Sequence, residues 1–414
     1  MKILFLAPEP FFQERGTPIA VRLALEVLTD RISRRQNTGN RSDSIDLITY
    51  NEGEDIAIPG VRILRIPTPK FLRGVGPGIS IKKLMCDVVF TIYVFQHVLR
   101  SGGARRYNLV HAVEESVFVA LILKLFFGLP YIYDMDSSLA LQVSEKWWVL
   151  RPLRPMLSLI EKLAVKYSEA VVPVCDALAV VAKQHGSKYT SVLSDVSLLK
   201  GEGTAQKADL RLELGVSPET PLVVYIGNLE RYQGIDLLIE SFGLVSAQEQ
   251  SSRLVIIGGR PEHIKHYESK AASIGISHRV HLAGPRPVEK LDDYIYNADI
   301  LVSPRTKGNN TPMKIYSYLH SGRAMVATRL PTHTQVLDDE VCALADPTSE
   351  SFGGAILRLI TDHEERSRLG RNARALAEER YTFDVFKDRL NMIYDQLDAS
   401  LELRETANQA SRAA

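Results

Sequence analysis

The chain has 414 residues, too long for one ordinary hydrophobic core and suited to two large domains. Its 45% hydrophobic and 24% charged residues exclude a disordered or fibrous chain. The formal net charge of +1 argues against nucleic acid as a partner of the whole molecule, although residues 1–200 hold 25 Lys and Arg against 19 Asp and Glu, and the rest hold 25 against 30.

The first strand pattern is KILFLAP (2–8), too short and uninterrupted by a small-residue site to read as a secretion signal. A loop then leads into a helix predicted over Ile19–Arg31. Strand patterns follow at 44–50, 61–67, 108–113, 131–136, 170–175 and 189–195. A polar, Gly-containing stretch, KGEGTAQKA (200–208), marks a linker. Beyond it, strand patterns recur at 222–228, 254–259, 279–284, 298–304, 324–329 and 342–347, with helices predicted over Ile235–Ala247, Val288–Tyr296 and Met313–Ser321. Runs such as VVYI and LVII are apolar throughout, as parallel strands covered on both faces must be. The alternation predicts an α/β chain of two Rossmann-like, doubly wound parallel-sheet domains, 1–200 and 201–382. A helix over 383–403 is expected to cross back to the first domain, and 404–414 to be an unstructured tail. Cys86, Cys175 and Cys342 lack metal-ligand spacing and suit a reducing compartment, and no apolar run is long enough to span a bilayer. These features predict a cytoplasmic protein.

Ligands of open parallel sheets bind beyond the carboxyl ends of the strands, so residues just after each strand are the candidates. After the first strand, Gly16 permits a tight loop, Thr17 suits a helix cap and Pro18 the first helical position. His111 and Glu114 follow one later strand, and Asp134 and Asp136 the next. A carboxylate there either deprotonates an acceptor hydroxyl or caps a helix. In the back half, Gly227 and Gly234 bracket a loop with Asn228, Arg231 and Gln233, where GxGxxG is absent. The richest segment is SPRTKGNNTPMKIYSYLHSGRAMVAT (303–328). Thr311 and Pro312 read as helix cap and first helical residue. Lys314 then falls in the first turn, where the helix dipole disfavours a cation by roughly 0.3–1 kcal/mol. Arg305 and Lys307 stand upstream. Positive charge gathered there makes sense around an anion such as a phosphate. Two further segments, RIPTPKFLRGVGPGISIKK (65–83) with five basic and no acidic residues, and Trp147–Trp148 beside Arg151 and Arg154, suit either an anionic membrane surface or ordinary packing.

Taken together, LVHAVEESVFVALILKLFFGLPYIYDMD, SEAVVPVCDAL, VVYIGNLERYQGIDLLIESF, LVIIGG and NTPMKIYSYLHSGRAMVATRLPTHTQVL resemble retaining glycosyltransferases of the GT-B fold, glycosyltransferase family 4 (group one). The resemblance implies two domains facing across a cleft, a nucleotide-sugar donor held mainly by the second, and a glycan or lipid-linked acceptor on the first. It implies retention of configuration, no metal and no resident cofactor. It also implies synthesis of cell-surface polysaccharide or glycolipid, to which the basic and Trp-bearing segments above add an expected peripheral contact at the inner face of the cell membrane. Residue by residue it points to Asp136, His111 and Asn309 for catalysis. For the donor it points to Gly16, Thr17, Gly227, Asn228, Arg231, Gln233, Arg305, Gly308, Asn310, Thr311, Pro312, Lys314 and Ser317. The chain departs from the family pattern in a coherent way. Asn228 and Gln233 stand where cations usually hold the diphosphate, Asn309 and Ser317 where two glutamates usually stand, and Asp136 where a histidine is common. A catalytically inactive nucleotide- or glycan-binding protein, or another nucleotide-sugar enzyme such as an epimerase, fits the same architecture.

Overall fold

A computed structural model describes residues 1–12, 16–37, 43–53, 56–76, 80–100, 103, 106–140, 152–199, 210–308 and 310–413. They form two compact units, one of residues 1–194 with 386–414, the other of residues 195–385. The stretch expected as a linker, 200–208, lies outside the described residues.

Unit 1 is built on six parallel strands, β1 (Lys2–Ala7), β2 (Ser44–Thr49), β3 (Val61–Arg65), β4 (Leu109–Val113), β5 (Tyr131–Met135) and β6 (Ala170–Pro173). Their spatial order is β3-β2-β1-β4-β5-β6. The connecting helices are α1 (Gly16–Asn37), α2 (Ile81–Arg100), α3 (Ser116–Phe127), α4 (Arg154–Tyr167) and α5 (Asp176–Gln184). The strand cores are apolar because helices cover the sheet: Leu4, Leu6, Val110, Tyr131 and Val171 are sealed beneath Phe90, Val94, Val117, Ala120 and Ala164.

Unit 2 repeats the plan with β7 (Leu222–Ile226), β8 (Arg253–Ile257), β9 (Val280–Gly284), β10 (Ile300–Ser303), β11 (Ala324–Thr328) and β12 (Ala343–Ala345) in the order β9-β8-β7-β10-β11-β12. Its helices are α6 (Leu210–Leu214), α7 (Ile235–Gln248), α8 (Pro261–Ser273), α9 (Leu291–Asn297), α10 (Lys314–His320), α11 (Pro331–Thr334), α12 (Ser349–Thr361) and α13 (His363–Arg380). On α7, Ile235, Leu238, Ile239, Phe242 and Val245 recur at helical spacing and fill the core beside β7 and β8. Thr348 and Asp362 cap α12 and α13, each accepting an N–H from three residues on.

A last helix, α14 (Phe383–Ala413), belongs from Phe386 onward to unit 1, where Leu390, Ile393 and Tyr394 are buried. The helix runs on through Ala413, where an unstructured tail is expected from 404; the Thr406 hydroxyl donates to the Glu402 and Leu403 carbonyls in ordinary helical fashion. The pattern at 189–195 is not a strand either. It runs beside β6 with one isolated bridge, Val171 to Thr190.

Each sheet reverses strand order once, between β1 and β4 in unit 1 and between β7 and β10 in unit 2. Those switch points open a crevice at the strands' carboxyl ends, and they locate the candidate sites without reference to any residue.

Candidate functional site

In unit 2 the loops after β7 and β10 meet at the switch point. Their backbones are sewn together, Thr306 N–H donating to the Tyr232 carbonyl at 2.9 Å. Gly234 makes the close approach possible: its φ is 75°, and a Cβ there would lie 1.9 Å from the Pro304 carbonyl oxygen.

Lys314 reaches into this junction. Its Nζ lies 3.8 Å from the centre of the Tyr225 ring, and a methyl group at Gly227 would sit 3.4 Å from it. The ammonium is shut off from solvent and has no hydrogen-bond partner. Burial, and secondarily the charge of Arg305, hold its pKa well below the ordinary lysine value. Arg305 is itself buried beside the Tyr232 ring. Its guanidinium donates to the Lys307 carbonyl at 2.8 Å, the Asn310 carbonyl at 3.1 Å and Asn310 Oδ1 at 3.4 Å. Gly308 leaves room for it: φ is 127°, and a Cβ would strike Nη2 at 2.6 Å.

The loop carrying these cations is held from below by β11 and α11. Thr328 Oγ1 donates to the Arg305 carbonyl, and Thr332 Oγ1 to the Asn310 carbonyl. His333 is fully buried, its Nδ1 bonded to the Thr328 carbonyl at 2.9 Å and Nε2 to Ser303 Oγ at 2.9 Å. Burial first, then the charges of Lys314 and Arg305, depress its pKa from 6.5 to about 3. It is a neutral strut, with Nδ1–H donating and Nε2 accepting. Two further buried polar atoms among the described residues of these loops lack partners, Gln233 Oε1 and Thr311 Oγ1. The arrangement is two buried basic groups with no carboxylate bonded to either among the described residues, in a setting where an unpaired charge costs several kcal/mol. An anion with several oxygens would satisfy both.

The helix start differs from expectation. α10 begins at Lys314, with Met313 in the cap position and no side-chain cap. Thr311 and Pro312 therefore precede the helix. The Pro312 and Met313 carbonyls accept from Ile315 and Tyr316 N–H in a tight three-residue turn. A seven-residue helix offers little dipole, so what this place can offer an anion is side-chain charge. Asn228, Arg231 and Lys307 are exposed, and Asn228 Oδ1 accepts the Glu230 N–H. Ser317 is buried, and its Oγ accepts the Leu198 N–H at 3.0 Å. Asn309 lies outside the described residues.

In unit 1 the equivalent switch point carries carboxylates. Glu9, just beyond β1, is buried with Oε1 unpartnered; burial first, then the Glu114 charge, raises its pKa well above the usual range. Glu114 follows β4 at φ 48°, the one described non-glycine residue in the left-handed region, and burial raises its pKa too. Lys83, from α2, stands among them. It donates to the Pro8 carbonyl at 3.1 Å, pairs with Glu115 and lies 3.8 Å from Asp87. Asp136 is the first residue past β5, half-buried, and near enough to bias the Tyr133 phenol.

His111 does not follow a strand end. It is the middle residue of β4, buried and stacked on Phe5 at 4.1 Å. Its Nδ1 bonds the Tyr394 hydroxyl at 2.8 Å and its Nε2 the Asp134 carboxylate at 3.2 Å. That places it as an interior group orienting Asp134. Gly16 and Thr17 lie in the first turn of α1, which begins at Gly16; a Cβ at Gly16 would meet nothing, so no close approach requires glycine. Glu9, Lys83, Tyr225 and His333 were not singled out from sequence. Glu9 stands two residues past β1, a readable signal, whereas His333 lies within the short helix α11 that follows β11. Lys83 sits in the first turn of α2 and Tyr225 inside β7, where composition gives none.

Residues 206–376 match the family model described as glycosyl transferases group 1. The chain is 21% identical over 354 residues to the alpha-D-kanosaminyltransferase of Streptomyces kanamyceticus, covering 83% of this chain and 90% of that protein. Matches to further curated relatives span about half of their lengths. Among solved structures, sucrose-phosphate synthase from Thermosynechococcus elongatus superposes with a TM-score of 0.75 at 19% identity, over 96% of this chain and 99% of that one. Anabaena Alr3699/HepE in complex with UDP-glucose superposes with a TM-score of 0.70 at 17% identity, over 96% and 100%. These likenesses support glycosyl transfer from a nucleotide sugar. The chain thus carries a glycosyl transferases group 1 domain over residues 206–376 within a GT-B fold.

Proposed function

We propose that the protein transfers a sugar from a nucleotide-sugar donor to an acceptor hydroxyl with retention of configuration, in the synthesis of a cell-surface polysaccharide or glycolipid. The observation that carries this reading is the Lys314 ammonium, buried and unpartnered beside Arg305 at the switch point of unit 2. The donor diphosphate occupies that place, with Lys314 and Arg305 balancing the charge that grows on it as the glycosidic bond breaks. This takes over the work of the cations that the family pattern puts at Asn228 and Gln233. Gly227, Gly308 and Asn310 shape the loops around it, and Thr311 and Gln233 offer further polar atoms to the donor. No metal and no resident cofactor takes part; the nucleotide sugar is a co-substrate. Asp136 orients the acceptor hydroxyl in unit 1, and the departing phosphate takes its proton.

The test is thermal denaturation with a panel of nucleoside diphosphates and their sugars, followed by transfer assays. At least one nucleoside diphosphate should raise the midpoint, and Asp136→Asn should keep that shift while slowing transfer about 100-fold, the scale on which misplacing a reacting group acts. A panel in which none stabilises would refute the donor site. Unchanged turnover in Asp136→Asn would remove Asp136 from the mechanism.

A further inference from the structure

Three helices of unit 1 turn large apolar side chains outward. On α2, Ile81, Leu84, Met85, Val88, Ile92 and Leu99 fall on one stripe and are 46–72% exposed. The opposite stripe, Cys86, Phe90, Val94 and Val98, lies in the core. A helix on an ordinary solvated surface has a polar outer face; α2 does not. On α3, Leu125 and Phe126 are 60% and 78% exposed, and on α4 Met156 and Leu159 are 51% and 56% exposed. All three helices contribute to the same core cluster. They therefore share one layer on one face of the sheet, as right-handed crossovers from β3 through β6 require.

Charge on this layer has one sign. The three helices contain two acidic residues, and both face inward: Asp87 accepts the Tyr50 hydroxyl, and buried Glu161 accepts the Ser138 hydroxyl at 3.0 Å. The exposed charges are Arg100, Arg154, Lys162 and Lys166. Ahead of α2, the turn Lys70–Leu72 holds Phe71 70% exposed between exposed Lys70 and Arg73. Two of the five basic residues counted in 65–83 do not belong to this surface. Arg65 bonds Asn51 and Gly53, and Lys83 is buried in the carboxylate cluster. Trp147, Trp148 and Arg151 lie outside the described residues.

We propose that this layer docks on an anionic lipid bilayer, its apolar side chains entering the headgroup region and its cations facing lipid phosphates. A second copy of the chain is a poorer occupant, because a self-complementary interface would set these cations against one another. No described helix is long and apolar enough to cross a membrane, so the contact lies in the interface plane. The proposal does not depend on the donor site, since no residue of unit 2 takes part.

Flotation of the full chain with phosphatidylcholine vesicles, with and without about 30% phosphatidylglycerol, tests it. The protein should float with the anionic vesicles, and about 0.5 M salt should release much of it. Met85→Glu with Ile92→Glu, and separately Lys162→Glu with Lys166→Glu, should each cut the bound fraction about tenfold at an unchanged melting midpoint. Should the first pair unfold the chain, the lysine pair alone carries the test. Absence of flotation, or equal flotation of the variants, would overturn the proposal. So would concentration-dependent self-association, seen in sedimentation and abolished by the glutamate pair, in a chain that ignores vesicles.

Discussion

The two units use one strand order, and their switch points stand at the same place in that order, yet the side chains gathered there are opposite in kind. Unit 1 collects Glu9, Glu114, Asp134 and Asp136 at and past its strand ends, with Lys83 acting on Glu9 and Glu114. Unit 2 collects Lys314 and Arg305 with aromatic rings and, among the described residues, no bonded carboxylate. Topology decides where a crevice opens; the loop residues decide what it holds. A carboxylate-lined crevice suits hydroxyls to be oriented or deprotonated, and a cation-lined one suits a phosphate leaving group.

The comparison is most easily broken in the scaffold of the cation site. Gly234→Ala places a methyl group against the Pro304 carbonyl in a left-handed backbone, whereas Gly16→Ala meets open space. The first should cost roughly 3 kcal/mol or more and the second within about 0.5 kcal/mol of nothing, as chemical denaturation would measure. Equal costs would mean that the two loops of unit 2 are not locked together.

The opposite charges should also show as opposite pH dependences. His333 is held neutral to about pH 3 in the fold but protonates near 6.5 when unfolded, so its contribution to stability is intact above 6.5 and is lost as pH falls toward 3. The slope approaches about 1.4 kcal/mol per pH unit, and His333→Gln should flatten it. Glu9 has the reverse sign. Its raised pKa keeps it protonated in the fold while the unfolded chain ionises near 4.5, so its stability is intact below 4.5 and is lost as pH rises. Glu9→Gln should flatten the profile on that side. Denaturation midpoints across pH 4–8 for the two variants, each against wild type, check both signs.

The architecture was largely legible because apolar runs such as LVVYI and LVII report burial directly, and the β7 and β8 boundaries follow them closely. The run at 189–195 misled because alternation reports exposure on one face rather than ladder pairing. The site was legible at Arg305, Gly234 and Gly308, which stand in loops past strand ends, and at Lys314, which opens the helix after one. It was not legible where side chains travel. Lys314 reads as a cation at a helix start, and only the fold shows it turned onto Tyr225 and away from water. His111 reads as a strand-end base, and only the register against Phe5 and Ile132 shows it mid-strand and interior. Lys83 lies in a run of basic residues that reads as a surface patch.

The reading stands or falls with Lys314, and Lys314→Met separates its two possible roles. An ammonium kept for an anionic ligand should cost the empty protein stability, so the variant should melt at the same temperature or higher. The same variant should bind a nucleoside diphosphate about 10- to 100-fold more weakly, the worth of a charge-assisted hydrogen bond. Because burial depresses the lysine pKa and a bound anion raises it, calorimetry of the wild type in buffers of different ionisation enthalpy should record proton uptake on binding, absent in the variant. A variant that melts lower yet binds the diphosphate as before, with the same proton count, would make Lys314 a structural cation and leave the donor without its site.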